Sequence, residues 1–121
     1  MEEMSFNEKY SKRTKELALQ VIRLSSTANH KNMAVNILLR QVLRSATSVA
    51  ANFRAVCRSR SDKERFAKLS VVVEKSDETL FWLELIEEPG QLQAAELLQN
   101  TKKEALEILK VMSSYRKKLK P

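Results

Sequence analysis

The chain has 121 residues, with 22 Lys+Arg against 15 Asp+Glu, a formal charge of +7 and a pI near 9.7. That length holds one core and one domain, residues 1–121, and the basic surplus points to nucleic acid, an anionic membrane or an acidic protein without choosing among them. One Gly, two Pro, one Cys and one His exclude a Gly-rich phosphate loop, an intrachain disulfide and a multi-histidine metal site within one subunit, and they leave helices as the building material.

Four helical stretches follow one another. The first is predicted over 6–28, with Tyr10, Leu17, Val21, Leu24 and Ala28 at spacings of three, four and seven. A break from Asn29 to Asn32 precedes the second, over 33–58, whose apolar face is Leu38, Leu39, Val42, Leu43, Ala46, Val49, Ala50, Phe53, Val56 and Cys57. Ser59 to Ser61 form a turn, and Ser61 with Glu64 reads as a capping box that opens the third helix. Its stripe is Phe66, Leu69, Val72, Val73, Leu80 and Leu83, and it stops near Glu87 because Pro89 cannot donate and Gly90 can turn left-handed. The fourth helix is predicted over 91–119, carrying Leu92, Ala95, Leu98, Ala105, Leu109 and Met112 inward. Its last turn, with Arg116, Lys117, Lys118 and Lys120, suits the negative end of the helix dipole. Connections this short force antiparallel neighbours, so the fold class is all-α, an up-down-up-down four-helix bundle.

No segment has the eighteen or so apolar residues of a membrane span, and residues 1–9 carry acidic side chains and no signal-like apolar run. The expected compartment is the cytoplasm, with which the single cysteine agrees.

Charge is segregated along the chain. Residues 1–60 carry 11 basic and 4 acidic side chains (net +7), 61–100 carry 4 and 9 (net −5), and 101–121 carry 7 and 2 (net +5). Between Glu16 and Asp62 there is no acidic residue. At 100° per residue Arg40, Arg44, Arg54 and Arg58 fall within an arc of roughly 80°, a ridge about 27 Å long opposite the apolar face. With Arg60 they are the candidate nucleic-acid-binding residues, because planar guanidinium groups match phosphate and carboxylate alike. The competing reading pairs them with the acidic cluster of the third helix.

That cluster is Glu74, Asp77 and Glu78, within one turn. Close carboxylates can bind a divalent metal or do acid/base chemistry, but an ion-pair network fits a chain this rich in arginine better. From Leu80 to Ile86 the third helix is apolar nearly all round, and Phe81, Trp82, Leu85 and Ile86 exceed what one bundle buries. Such a girdle marks a self-association surface. His30 reads as a solvated loop residue, Cys57 as an inert buried thiol, and Ser45, Ser48 and Asn52 as seam residues. No cofactor or metal is expected.

Three blocks carry a resemblance. Gln41, Arg44, Ser48 and Asn52 are followed by Arg54, Cys57, Arg58, Arg60 and Ser61, then by Phe66 and Leu69, then by Glu74, Asp77, Glu78, Phe81, Trp82 and Glu84. The chain thereby resembles the bacterial four-helix-bundle proteins that include those encoded in intervening sequences of large-subunit ribosomal RNA. Lys75 departs from the pattern, where relatives often carry another acidic residue. The resemblance implies a homopentameric barrel of bundles, as in the related accessory proteins of diversity-generating retroelements, which bind a reverse transcriptase and nucleic acid. The expectation is therefore a homo-oligomer without enzymatic activity or membrane attachment that binds RNA or DNA through its basic surface. An adaptor holding an acidic or reverse-transcriptase-like protein is the alternative, and a metal-dependent phosphodiester-handling enzyme is the third reading.

Overall fold

The computed structural model describes residues 4–28, 30–88, 90 and 92–119. Four helices are present: α1 (Phe6–Thr27), α2 (Met33–Cys57), α3 (Asp62–Glu87) and α4 (Ala95–Lys118). α2 and α3 form the most extensively packed pair, α1–α2 and α3–α4 follow, and α1–α4 closes the bundle with the least contact, while the diagonal pairs make no close backbone approach. The predicted up-down-up-down arrangement is the one observed.

One spacing rule builds all four core faces. The buried residues of α1 include Tyr10, Thr14, Leu17, Val21 and Leu24; those of α2 include Val35, Leu39, Val42, Ala46, Val49, Phe53 and Val56. On α3 they are Leu69, Val72, Ser76, Thr79, Leu83 and Ile86, and on α4 Leu98, Thr101, Ala105, Ile108 and Met112. Steps of three and four alternate without a break. That is a heptad repeat, which keeps a straight seam only if helices cross at about 20° with left-handed supercoiling.

Three helix starts are held by a side chain. Ser5 Oγ accepts from the Glu8 amide at 3.1 Å, Asn32 Oδ1 from that of Val35 at 3.0 Å and Ser61 Oγ from that of Glu64 at 3.1 Å, each satisfying one orphan donor of a first turn. Only the Ser61 half of the predicted capping box is seen, because the Glu64 carboxylate faces Arg60 Nε at 4.0 Å instead.

Several expectations are corrected. α4 begins at Ala95, four residues later than predicted, because Leu92 turns into the core and Ala94, at φ −88° and ψ 63°, is not helical. Ala95 is exposed, and Thr101 and Ile108 carry the face assigned to it. Ser76 and Thr79 are buried where the apolar stripe of α3 had been drawn through Val73 and Leu80, which are half-buried. Gly90 does take the left-handed conformation, at φ +67°. The parts of the reading that fall on Asn29, Pro89, Gln91 and Lys120 lie outside the described residues. Among the described residues no helix is long and apolar enough to cross a membrane.

Candidate nucleic-acid interface

The heptad that turns Leu39, Val42, Ala46, Val49 and Phe53 inward turns another series outward. Met33, Ile37, Arg40, Arg44, Thr47, Ala51, Arg54 and Arg58 follow one another at steps of four and three along the far side of α2, and all eight are exposed. Arg60, in the turn after α2, is exposed too. Among the described residues Arg40, Arg44, Arg54 and Arg58 make no ion pair. A solvent-exposed ion pair contributes little, but a row of unpaired guanidinium groups repels itself and attracts any anion. The ridge lies where the sequence placed it.

Sequence reading missed the contribution of α1. At the Arg54/Arg58 end, α1 and α2 enclose an open cleft of about 580 Å³ lined by Ser11, Lys15, Ala18, Thr47, Ala50, Ala51, Arg54, Cys57 and Arg58. Lys15 faces Arg54 and Arg58 across a floor of alanine methyl groups, and Ser11 and Thr47 add hydroxyls at the walls. Three cations thus converge on a groove whose floor is apolar. Ser11, Lys15 and Ala18 share one side of α1 at steps of four and three, a signal present in the sequence; that this side meets α2 is set by tertiary register. Cys57 is half-buried at the rim, with Sγ 3.8 Å from Ser11 Oγ.

At the other end Arg40 borders a smaller pocket with Ser25, His30, Asn36, Leu39 and Leu43. His30 is the exposed loop residue expected, and it is also a clasp. Its Nε2 lies 2.8 Å from the Ser25 carbonyl and its Nδ1 2.8 Å from Asn36 Oδ1, while Asn36 Nδ2 donates to the His30 carbonyl at 2.6 Å. The imidazole ties the last turn of α1 to the first of α2. Asn52 Nδ2 donates to the Ser48 carbonyl at 2.8 Å and to Ser48 Oγ at 3.0 Å, bonds within α2 rather than across a seam, and of the three expected seam residues Ser45 alone is buried.

The carboxylate network predicted for Glu74, Asp77 and Glu78 does not form with the arginines of the same subunit. Glu74 and Asp77 are exposed and make no ion pair among the described residues, while Glu78 Oε2 takes Lys75 Nζ at 2.9 Å. The reason is geometric: these side chains leave α3, and the ridge leaves α2, on faces other than those the two helices pack together. Among the described residues no group of three His, Cys, Asp or Glu side chains is placed to hold a metal ion.

The apolar girdle divides. Phe81 is 50 % exposed and Leu85 38 %, side by side on the outer face of α3, whereas Ile86 is 1 % exposed and belongs to the subunit's own core. Ile86 occupies the heptad position after Leu83, so it drops out of the predicted interface. Trp82 is half-buried, with its ring centroid 5.1 Å from that of Phe81 and its buried Nε1 without an acceptor.

The bundle closes through ion pairs on other seams. Arg13 grips Glu104 with both Nε and Nη2, donates to the Tyr10 hydroxyl at 3.1 Å and stacks 5.0 Å over its ring, so its guanidinium is held above its ordinary value chiefly by the bond to Glu104. Lys102 binds Glu87 across α3 and α4 and holds that carboxyl below its ordinary value, with Gln99 assisting.

Comparison with known proteins places the chain beside a family and a solved structure. The family described as 23S rRNA-intervening sequence protein matches residues 7–114. A crystal structure of a protein of unknown function from the S23 ribosomal protein family of Bacteroides thetaiotaomicron superposes with a TM-score of 0.78 at 26% identity, covering 88% of this chain and 97% of that one. No curated protein matches.

Proposed function

The chain belongs to the 23S rRNA-intervening sequence protein family, and on that premise we propose that it is an oligomeric, non-enzymatic, cytoplasmic interaction protein that binds RNA through the basic face shared by α1 and α2. One observation carries this reading: Lys15, Arg54 and Arg58 converge on an open cleft with no carboxylate among its lining residues. Cations left unpaired at a groove are matched by phosphates, and each phosphate they neutralise releases a condensed counterion. A cleft walled by hydroxyls and floored by methyl groups holds a sugar-phosphate backbone without reading base edges, so binding is largely independent of sequence. Half-exposed Phe81 and Leu85 support self-assembly, and the family resemblance implies a pentamer.

The apolar floor of Ala18, Ala50 and Ala51 also favours a second reading, an adaptor whose cleft takes an acidic amphipathic helix. A pull-down from native lysate, divided between nuclease-treated and untreated halves, separates the two. RNA binding predicts that the captured material is RNA and its followers and disappears with nuclease. A protein retained equally in both halves, and released when Arg54 and Arg58 are replaced by alanine, transfers the assignment to the adaptor.

A further inference from the structure

The outer faces of α2 and α3 carry matching patterns in opposite chain directions. From its start, α2 presents exposed Met33 and Ile37 (76 % and 50 % exposed) and then exposed Arg40 and Arg44. From its end, α3 presents Leu85 and Phe81 and then Glu78 and Glu74. Each set of four spans an arc of roughly 60° on its helix. Laid antiparallel, Met33 meets Leu85, Ile37 meets Phe81, Arg40 meets Glu78 and Arg44 meets Glu74, and every pair of residue numbers sums to 118. One fixed register therefore matches apolar with apolar and cation with anion at four successive positions.

Within one subunit these stripes do not meet, since α2 and α3 already use their inner faces on each other. We propose that the α2 stripe of one copy docks on the α3 stripe of a second copy of this chain, antiparallel and in that register. This rests on the self-assembly part of the function proposed above and specifies its interface. Because α2 and α3 run oppositely within a subunit, an antiparallel α2–α3 contact between copies keeps all bundles pointing the same way. The contact is heterologous and uses both stripes of every copy, the type of interface that builds a ring when the rotation between copies closes. A two-fold dimer through α2 would instead set Arg40 and Arg44 against arginines. Glu78 keeps Lys75 on Oε2 and offers Oε1 to Arg40, while Glu74 is free among the described residues to take Arg44. The four matched positions end at Arg44, short of the cleft that Lys15, Arg54 and Arg58 line.

Charge reversal tests the register. Light scattering is run at micromolar concentration on wild type, on Arg40→Glu/Arg44→Glu, on Glu74→Arg/Glu78→Arg, and on the chain carrying all four changes, with helical circular dichroism as the folding control. The proposal requires the two double variants to fall to the mass of one 13.9 kDa chain while remaining helical, and the fourfold variant to recover the wild-type mass because its reversed stripes match again. Double variants that keep the wild-type mass, or a folded fourfold variant that stays monomeric, overturn this interface while leaving assembly itself standing. Wild-type protein that is monomeric throughout overturns the assembly reading and this interface with it.

Discussion

Ser76 is the side chain most at odds with its surroundings. It is fully buried on the core face of α3 and its Oγ has no hydrogen-bond partner, whereas the buried hydroxyls of Thr14, Thr79 and Thr101 bond back to the carbonyls of Tyr10, Lys75 and Leu97, each at 2.7 Å. A buried polar group left unpaired forfeits its hydration, at about 1–3 kcal/mol. Ser76→Ala removes the group and almost no volume. We predict that it stabilises the subunit by about 1 kcal/mol, raising Tm by about 4 °C; a calorimetric Tm equal to or below wild type contradicts the unpaired hydroxyl. Ser76 also shows what sequence reading overlooks. A search for apolar residues at helical spacing passes over a serine, although the unbroken heptad from Leu69 to Ile86 marks its position as interior.

The helices themselves were legible because apolar periodicity, short breaks and N-caps all agreed, and the ends of α1, α2 and α3 fall within one residue of expectation. The start of α4 was not, since it depends on Leu92 turning into a core that sequence alone does not position. The same gap explains the site. Arg40, Arg44, Arg54 and Arg58 are exposed together because one helix carries them, while the cleft needs Lys15 from another helix, and the loss of Ile86 from the girdle follows from a heptad phase that only the packed bundle reveals. Between elements, the Lys102–Glu87 pair couples α3 to α4. Its carboxyl is held below the ordinary value in the folded state, so its contribution is fully present above that ordinary value and is lost as pH falls through the lowered one. We predict that Glu87→Gln flattens the fall of Tm in the acid range below about pH 4.5 relative to wild type. Parallel acid-melting curves for the two proteins would contradict this.

At the scale of the molecule, the bundle separates its charges by face. Carboxylates and exposed aromatic and aliphatic groups occupy the outside of α3, cations occupy the outside of α2 and the adjoining side of α1, and the core between them is a regular heptad seam. That division supports the function proposed for the basic face, because a positive groove with no internal partner attracts polyanions at long range and holds them at short range. Fluorescence anisotropy of a labelled RNA duplex titrated with protein across a salt series measures this directly. We predict wild-type binding that weakens steeply and linearly in log salt, with a slope reduced by about two for Arg54→Ala/Arg58→Ala at unchanged Tm. Wild-type protein that fails to bind at low salt, or a double variant with an unchanged slope and a lowered Tm, would contradict the account.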